Sequence, residues 1–412
     1  MSGNADVYVG SEIGKLNRVF LHKPGKELER ITIDNREELL IDEIVWVERA
    51  RQNHDEFAQL LRKNGTEVVY FQDCLAEVVR DEKVRSDLLE DALGRETHDS
   101  NLSDALRKIV MEMTPEEVAD TLIGGMTKLE AGKRIGKNLR SLTFTAADDH
   151  AFFFRPLPNL YFQRDPFFFV RDGVVLSAMR FIARQREPLY ARSIFKNHPL
   201  FKGVKIIFGD DTTDCCHPNV IEGGDFLVLN EECVAIGVSQ RSKAGTIQAI
   251  GSRLATQVGL KKVLAVDIPD QRAYMHLDTV FTMVDRDAFT IYPGVHKVMR
   301  VWELTFDDGG NLVKIDESHD VFDSLKKSLH LDKIRSIETG GGDPIAASRD
   351  QWNDGTNTLA IAPGVVVTYE GNVVSNRALR DNGIVVYEIN GSELGKGRGG
   401  PRCMSMPLKR EG

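Results

Sequence analysis

The sequence predicts an α/β fold built from diverged strand–strand–helix–strand repeats, stacked or radial, with a small helical insert. Three observations predict it. A polar residue followed by an apolar strand, a turn and a second strand recurs from Asp165, Asp225, Asp278 and Asn357. A helical stretch and one more strand follow these hairpins, as in Ile247, Ile250, Leu254 and Val258 before Lys262–Val266. Between about Cys74 and Lys137 the texture changes to charged, helix-forming sequence poor in β-branched pairs. Repeats of this kind bury a common core that one unit could not bury alone. A radial arrangement also brings the same end of each unit to one point. The expected division is 1–73 and 147–412 for the repeat domain and 74–146 for the helical insert.

In chain order, Asn17–His22 reads as a strand stopped at Pro24-Gly25, and Asn17 is a candidate start for a fifth, degenerate copy. A helix is expected over about 45–63, because Val47, Ala50, His54, Phe57, Leu60 and Leu61 fall on one face of a 3.6-residue period. Val68–Phe71 follows as a strand. In the insert, Leu88, Leu89, Ala92 and Leu93 make one apolar face, and Leu106, Ile109, Val110 and Met113 another. Thr114-Pro115-Glu116-Glu117 has the form of a capping box with proline at the first helical position. The hairpins then run Phe167–Val170 with Val174–Leu176, Phe226–Leu229 with Cys233–Ile236, Thr279–Val284, and Thr358–Ile361 with Val365–Val367. After the last, Arg377–Arg380 reads as helix and Ile384–Tyr387 as strand.

The 412 residues carry a net charge of −9, which weighs against nucleic acid as the main partner. No apolar run reaches the ~18–20 residues of a membrane span. The five cysteines are thinly spread and odd in number, as expected in a reducing compartment, and no signal peptide is evident. A cytoplasmic protein is expected.

The repeat starts carry the candidate chemistry: Asp165, the run Glu222-Gly223-Gly224-Asp225, and His276-Leu277-Asp278. On strand geometry His276 and Asp278 would face the same way. Near the C-terminus, Gly395–Met404 places Cys403 after four glycines and a proline, flanked by Lys396, Arg398 and Arg402. Glycines permit positive φ and close approach of a ligand, and neighbouring cations favour a thiolate. A soft nucleophile (Cys403), a histidine (His276), a carboxylate to orient it (Glu222) and two further carboxylates (Asp165, Asp278) suit a planar guanidinium substrate. The thiol would attack the guanidino carbon, and the histidine would serve the departing ammonia and then a water.

At these residues the sequence resembles the arginine deiminases, among the guanidino-group-modifying enzymes. The resemblance rests on Pro158–Phe162 with Arg164-Asp165-Pro166, Glu222–Asp225, His276–Phe281 and Gly397–Pro407, and it runs nearly end to end. It implies a five-bladed α/β propeller of pentein type with a helical insert. It implies hydrolysis of L-arginine to L-citrulline and ammonia through a covalent Cys403 thiouronium, with no metal and no cofactor. By the same resemblance His276 is general acid and base beside Glu222, and Asp165 and Asp278 grip the guanidinium. Arg184 and Arg241 would meet the α-carboxylate, with Arg180 and Arg186 competing for the place of Arg184. Asn159, Phe162, Asp225 and Gly397 complete the pocket, and Arg398 lies on its closing loop. The family suggests a homodimer or homotetramer. Where this chain has Arg402, some members have histidine, and Arg402 is expected to favour thiolate before substrate arrives.

The rival readings are agmatine deiminase, dimethylarginine hydrolase, amidinotransferase, and a non-catalytic arginine-binding propeller. Agmatine has no carboxylate for Arg184 and Arg241 to meet. A zinc site at Cys215, Cys216 and His217 lacks the usual C-x₂₋₄-C spacing.

Overall fold

The structure is a computed structural model that describes residues 6–136, 139–211, 214 and 218–411. Five sheets repeat one pairing pattern, in which a first strand runs antiparallel to a second and the second pairs in parallel with a third. They are Phe167–Val170, Gly173–Leu176 and Lys205–Phe208; Phe226–Val228, Cys233–Val238 and Lys262–Asp267; and Phe281–Met283, Ala288–Ile291 and Arg335–Glu338. The fourth is Leu359–Ala362, Val365–Tyr369 and Val385–Ile389. The fifth joins the two ends of the chain: Met406–Arg410 runs antiparallel to Leu16–Leu21, which pairs in parallel with Glu67–Tyr70. The copy at Asn17 therefore lacks its first strand only in sequence order.

The parallel crossovers carry helices, as a parallel pair requires. These include Glu187–Asn197, Ala244–Val258, Val321–Leu329, Val373–Asp381 and Val47–Lys63. The strands Phe167–Val170, Phe226–Val228 and Phe281–Met283 are buried along their whole length, which explains runs such as Phe167-Phe168-Phe169 in place of alternation. One feature has no counterpart in the sequence reading. A hairpin, Arg300–Phe306 and Leu312–Ser318, extends the second sheet to five strands. No sheet closes on itself among the described residues.

Between the fifth and first sheets run the helices Phe71–Val78, Glu82–Leu93, Ser100–Met111, Pro115–Gly124, Lys128–Gly132 and Leu142–Ala146. The capping box at Thr114 forms, with Pro115 inside the first turn. The first helix starts at Phe71, where strand was expected, because that ring packs against Phe20 and Phe167. The stretch is also not wholly helical: Gly125 turns at φ 79°, and Met126–Thr127 pairs with Phe152–Phe154. Leu88, Leu89, Leu106 and Leu122 share one continuous apolar cluster with Phe167, Val174 and Leu189. No described helix is long and apolar enough to cross a membrane.

Candidate active site

The chemistry-bearing residues sit on short turns that precede the first strand of each sheet. Asn159 lies on a 3₁₀ turn Pro158–Tyr161, Asp225 on Gly223–Asp225, and Asp278 on Leu277–Thr279 with His276 capping it. His276 and Asp278 are thus brought together by a turn and not by strand alternation. The glycines of Glu222–Asp225 are required by packing. A Cβ on Gly224 would lie 2.4 Å from His276 Nδ1, and one on Gly223 would lie 2.0 Å from the Arg164 carbonyl oxygen.

The Cys403 side chain is buried. Asn357 Nδ2 donates to Sγ at 3.1 Å, and the Cys403 N–H donates to Asn357 Oδ1 at 3.0 Å. The thiol points to Asp278 Oδ2 at 3.6 Å. His276 Nε2 donates to Glu222 Oε2 at 2.9 Å, while its Nδ1 lies 3.7 Å from Asp165 Oδ1. Arg241 Nη1 donates to the same Glu222 oxygen at 2.9 Å, and its guanidinium lies over the Phe181 ring. Arg184 pairs with Glu187 through Nε and Nη2 and with Asp165 Oδ2 at 2.5 Å through Nη1. Arg186 is drawn elsewhere, to Glu96 and the Arg155 carbonyl. Asp165 Oδ1 and Asp278 Oδ1 are both buried without a hydrogen-bond partner.

The other expected pocket residues divide. Phe162 packs against Gly397 and Gly399, where a Cβ would come within 3 Å of its ring. Those glycines serve close approach, and the positive φ in the loop (64°) falls on Arg398. Arg398 lies over the Trp352 ring, with Nε and Nη1 unpartnered. Asn159 donates to the Leu39 carbonyl. Asp225 has both oxygens committed: Oδ2 accepts from Ser239 and Ser242, and Oδ1 from the Leu277 N–H. Through these bonds it braces the turns that carry Arg241 and His276. Asn357 was legible as a repeat start but not as the residue that holds the sulfur. Glu12 and Asp354 carry no sequence signal.

The charges around the thiol differ from the sequence expectation. Lys396 pairs with Glu393, Arg398 stacks on Trp352, and Arg402 turns to Glu12 and Asp278. Burial, then Asp278, Asp165 and Asp354, push the Cys403 thiol well above its ordinary range, and Arg402 offsets them only in part. Burial works against a charged His276, but Asp165, Glu222 and Asp225 outweigh it and raise the ring to about 9. Burial also opposes ionisation of Glu222, yet Arg241 and His276 hold it well below the carboxylate range. The resting site therefore pairs a neutral thiol with a cationic imidazole around neutral pH. Alkylation of Cys403 by iodoacetamide is accordingly expected to be slower around neutral pH than that of an unperturbed thiol, and to accelerate as pH rises. Fast alkylation at neutral pH, read by mass spectrometry, would contradict this charge balance.

The arginine deiminase family model matches residues 37–410. The chain belongs to the arginine deiminase family. Curated arginine deiminases of Levilactobacillus brevis and Bacillus cereus are each 44% identical, and that of Streptococcus sanguinis 42% identical. In each case 98% of this chain and 98% of the relative are covered. The fold is shared with more distant solved structures. SxtG, an amidinotransferase from Microseira wollei, matches with a TM-score of 0.57 at 11% identity, over 99% of this chain and 98% of that one. The N-terminal domain of ArgZ, a cyanobacterial arginine dihydrolase, matches with a TM-score of 0.54 at 14% identity, over 95% of this chain and 97% of that one. Among the described residues of this family member, no group of His, Cys, Asp and Glu is arranged to hold a metal. Cys215, Cys216 and His217 lie outside the described residues.

Proposed function

We propose that the chain hydrolyses L-arginine to L-citrulline and ammonia, with Cys403 as nucleophile. The observation that carries this reading is the pair of buried oxygens without a hydrogen-bond partner, Asp165 Oδ1 and Asp278 Oδ1, beside a buried thiol. A planar guanidinium supplies N–H donors and a positive charge to such a pair. Its charge would also offset Asp165 and Asp278, which together with burial keep the thiol protonated, so Cys403 releases its proton to bulk water and becomes thiolate as substrate binds. Cys403 Sγ then bonds to the guanidino carbon, and the His276 imidazolium gives its proton to the departing nitrogen, which leaves as ammonia. The carbon remains attached as a thiouronium. Neutral His276 next takes a proton from water, which attacks the same carbon and releases citrulline and Cys403. Glu222 holds His276 in place throughout, and Asn357 holds the sulfur.

Arg184 and Arg241 are the groups proposed to receive the α-carboxylate. Arg184 would first have to share or leave Asp165, and Arg241 would have to share Glu222. The five like-patterned sheets, with their site-bearing turns together, support a five-bladed propeller whose axis is the site. The helices between 74 and 146 are proposed as an insert packed against Glu187–Asn197.

The test is product formation from L-arginine and, in parallel, agmatine, with and without EDTA. Citrulline from arginine with no product from agmatine, insensitive to EDTA, is expected. Turnover of agmatine in preference to arginine would overturn the substrate reading and the roles of Arg184 and Arg241. Arginine binding without turnover would leave a binding propeller.

A further inference from the structure

We propose that Glu12 is a positioning residue for the reaction, fixing the Asp278 carboxylate beside Cys403 by way of Arg402. The inference rests on the roles proposed above for Cys403 and Asp278. Glu12 belongs to the N-terminal segment, before the stretch matched by the family model, yet it is buried. Its N–H donates to the Val228 carbonyl at 2.7 Å, and its Oε1 accepts from the Val228 N–H at 3.3 Å, which pins the segment to the second sheet.

Arg402 spans Glu12 and the site. Nε lies 3.2 Å from Glu12 Oε2 and Nη2 lies 3.1 Å from Glu12 Oε1, a two-pronged pairing. Nη2 also donates to the Phe226 carbonyl at 2.7 Å. The remaining prong, Nη1, donates to Asp278 Oδ2 at 2.7 Å. The guanidinium is planar, so fixing one edge fixes the direction of Nη1. Asp278 Oδ2 is thereby committed, and Oδ1 is the oxygen left for substrate. Glu12 also sets the charge of the group. It faces Arg402, Arg164 at 3.6 Å and Arg410, which outweigh its burial and hold its carboxyl down at about 2.

Neutralising Glu12 should do two things. It loosens the anchored edge of Arg402, so Asp278 loses its fixed orientation. It also removes a negative charge from the region of the thiol, whose own neighbours are Asp278, Asp165, Asp354 and Arg402. Turnover and thiol acidity then move in opposite senses, which damage to packing alone would not produce.

The experiment compares wild type, Glu12→Gln and Glu12→Asp as full-length folded protein. KM and kcat for L-arginine are measured together with the pH midpoint of iodoacetamide alkylation, with Cys403→Ser as the alkylation blank. For Glu12→Gln we expect KM to rise about tenfold with a smaller fall in kcat, and the alkylation midpoint to drop by roughly one pH unit. Glu12→Asp keeps the charge, so its midpoint should stay at the wild-type value while KM rises less. A folded Glu12→Gln protein with KM within about twofold of wild type and an unmoved midpoint would overturn the proposal. If Glu12→Gln is insoluble, Arg402→Lys is read instead, since one ammonium cannot span both carboxylates in a fixed plane. A comparable KM rise there supports the proposal, and an unchanged KM sinks it. If Cys403→Ser itself still turns over arginine, the nucleophile assignment fails, whatever Glu12 does.

Discussion

Cys403→Ser is expected to lower citrulline production from L-arginine by about ten-thousandfold or more, as loss of a nucleophile does in other covalent enzymes. A serine hydroxyl is far less acidic than a thiol. The surroundings that already push the thiol up (burial, Asp278, Asp165 and Asp354) would penalise an alkoxide more severely still. The rest of the site should persist. Oγ is smaller than Sγ and can keep the contacts to Asn357 and Asp278, and Asp165, His276 and Glu222 are untouched. Arginine should therefore still bind, and calorimetry on the variant should show it. Acid-quenched mass spectrometry should find an amidino adduct on wild type and none on the variant. Turnover by Cys403→Ser within about a hundredfold of wild type would mean that another group attacks the substrate.

How far the site could be read from sequence follows from what kind of force places each residue. Asp165, Asp225, Asp278 and Asn357 were legible because each precedes an apolar strand, and local pattern fixes where a strand begins. The pairing of five sheets was partly legible for the same reason. The fifth was obscured because its first strand, Met406–Arg410, comes at the other end of the chain. The extra hairpin Arg300–Ser318 lies largely on exposed residues in its second strand, so it left little apolar signal.

The state of the thiol was not legible. Proximity in sequence suggested that Lys396, Arg398 and Arg402 would surround Cys403, but each has a closer partner in space. Lys396 and Arg402 are each paired to carboxylates, and the Asp278 charge that Arg402 pairs with itself raises the thiol. The partner of Arg402, Glu12, is separated from it by 390 positions and sits in no periodic pattern. Asp225 shows the converse. Its motif was legible, but its hydrogen bonds to Ser239, Ser242 and Leu277 assign it to holding the turns together.

Asp278→Asn is expected to reduce kcat/KM for L-arginine by roughly a thousandfold, corresponding to about 3–5 kcal/mol for removing one partner of a buried ion pair. Asparagine has almost the same shape, so the change is one of charge and donors. Arg402 would keep Glu12 but lose its second carboxylate, and the substrate guanidinium would meet an amide where it needs an anion. KM should carry much of the loss, because Asp278 is proposed to hold the guanidinium before and during attack. The thiol should respond in the opposite sense. Asp278 is the first of the charges that raise Cys403, after burial itself, so its removal should lower the pH at which Cys403 is alkylated. A protein that is easier to alkylate yet far poorer at hydrolysis separates this electrostatic role from general loss of structure, in which both properties would follow unfolding. The downward shift should exceed that of Glu12→Gln, since Asp278 touches the sulfur and Glu12 acts at one remove. An Asp278→Asn enzyme within about tenfold of wild type in kcat/KM, or one whose thiol is harder to alkylate, would show that the guanidinium is held by other groups.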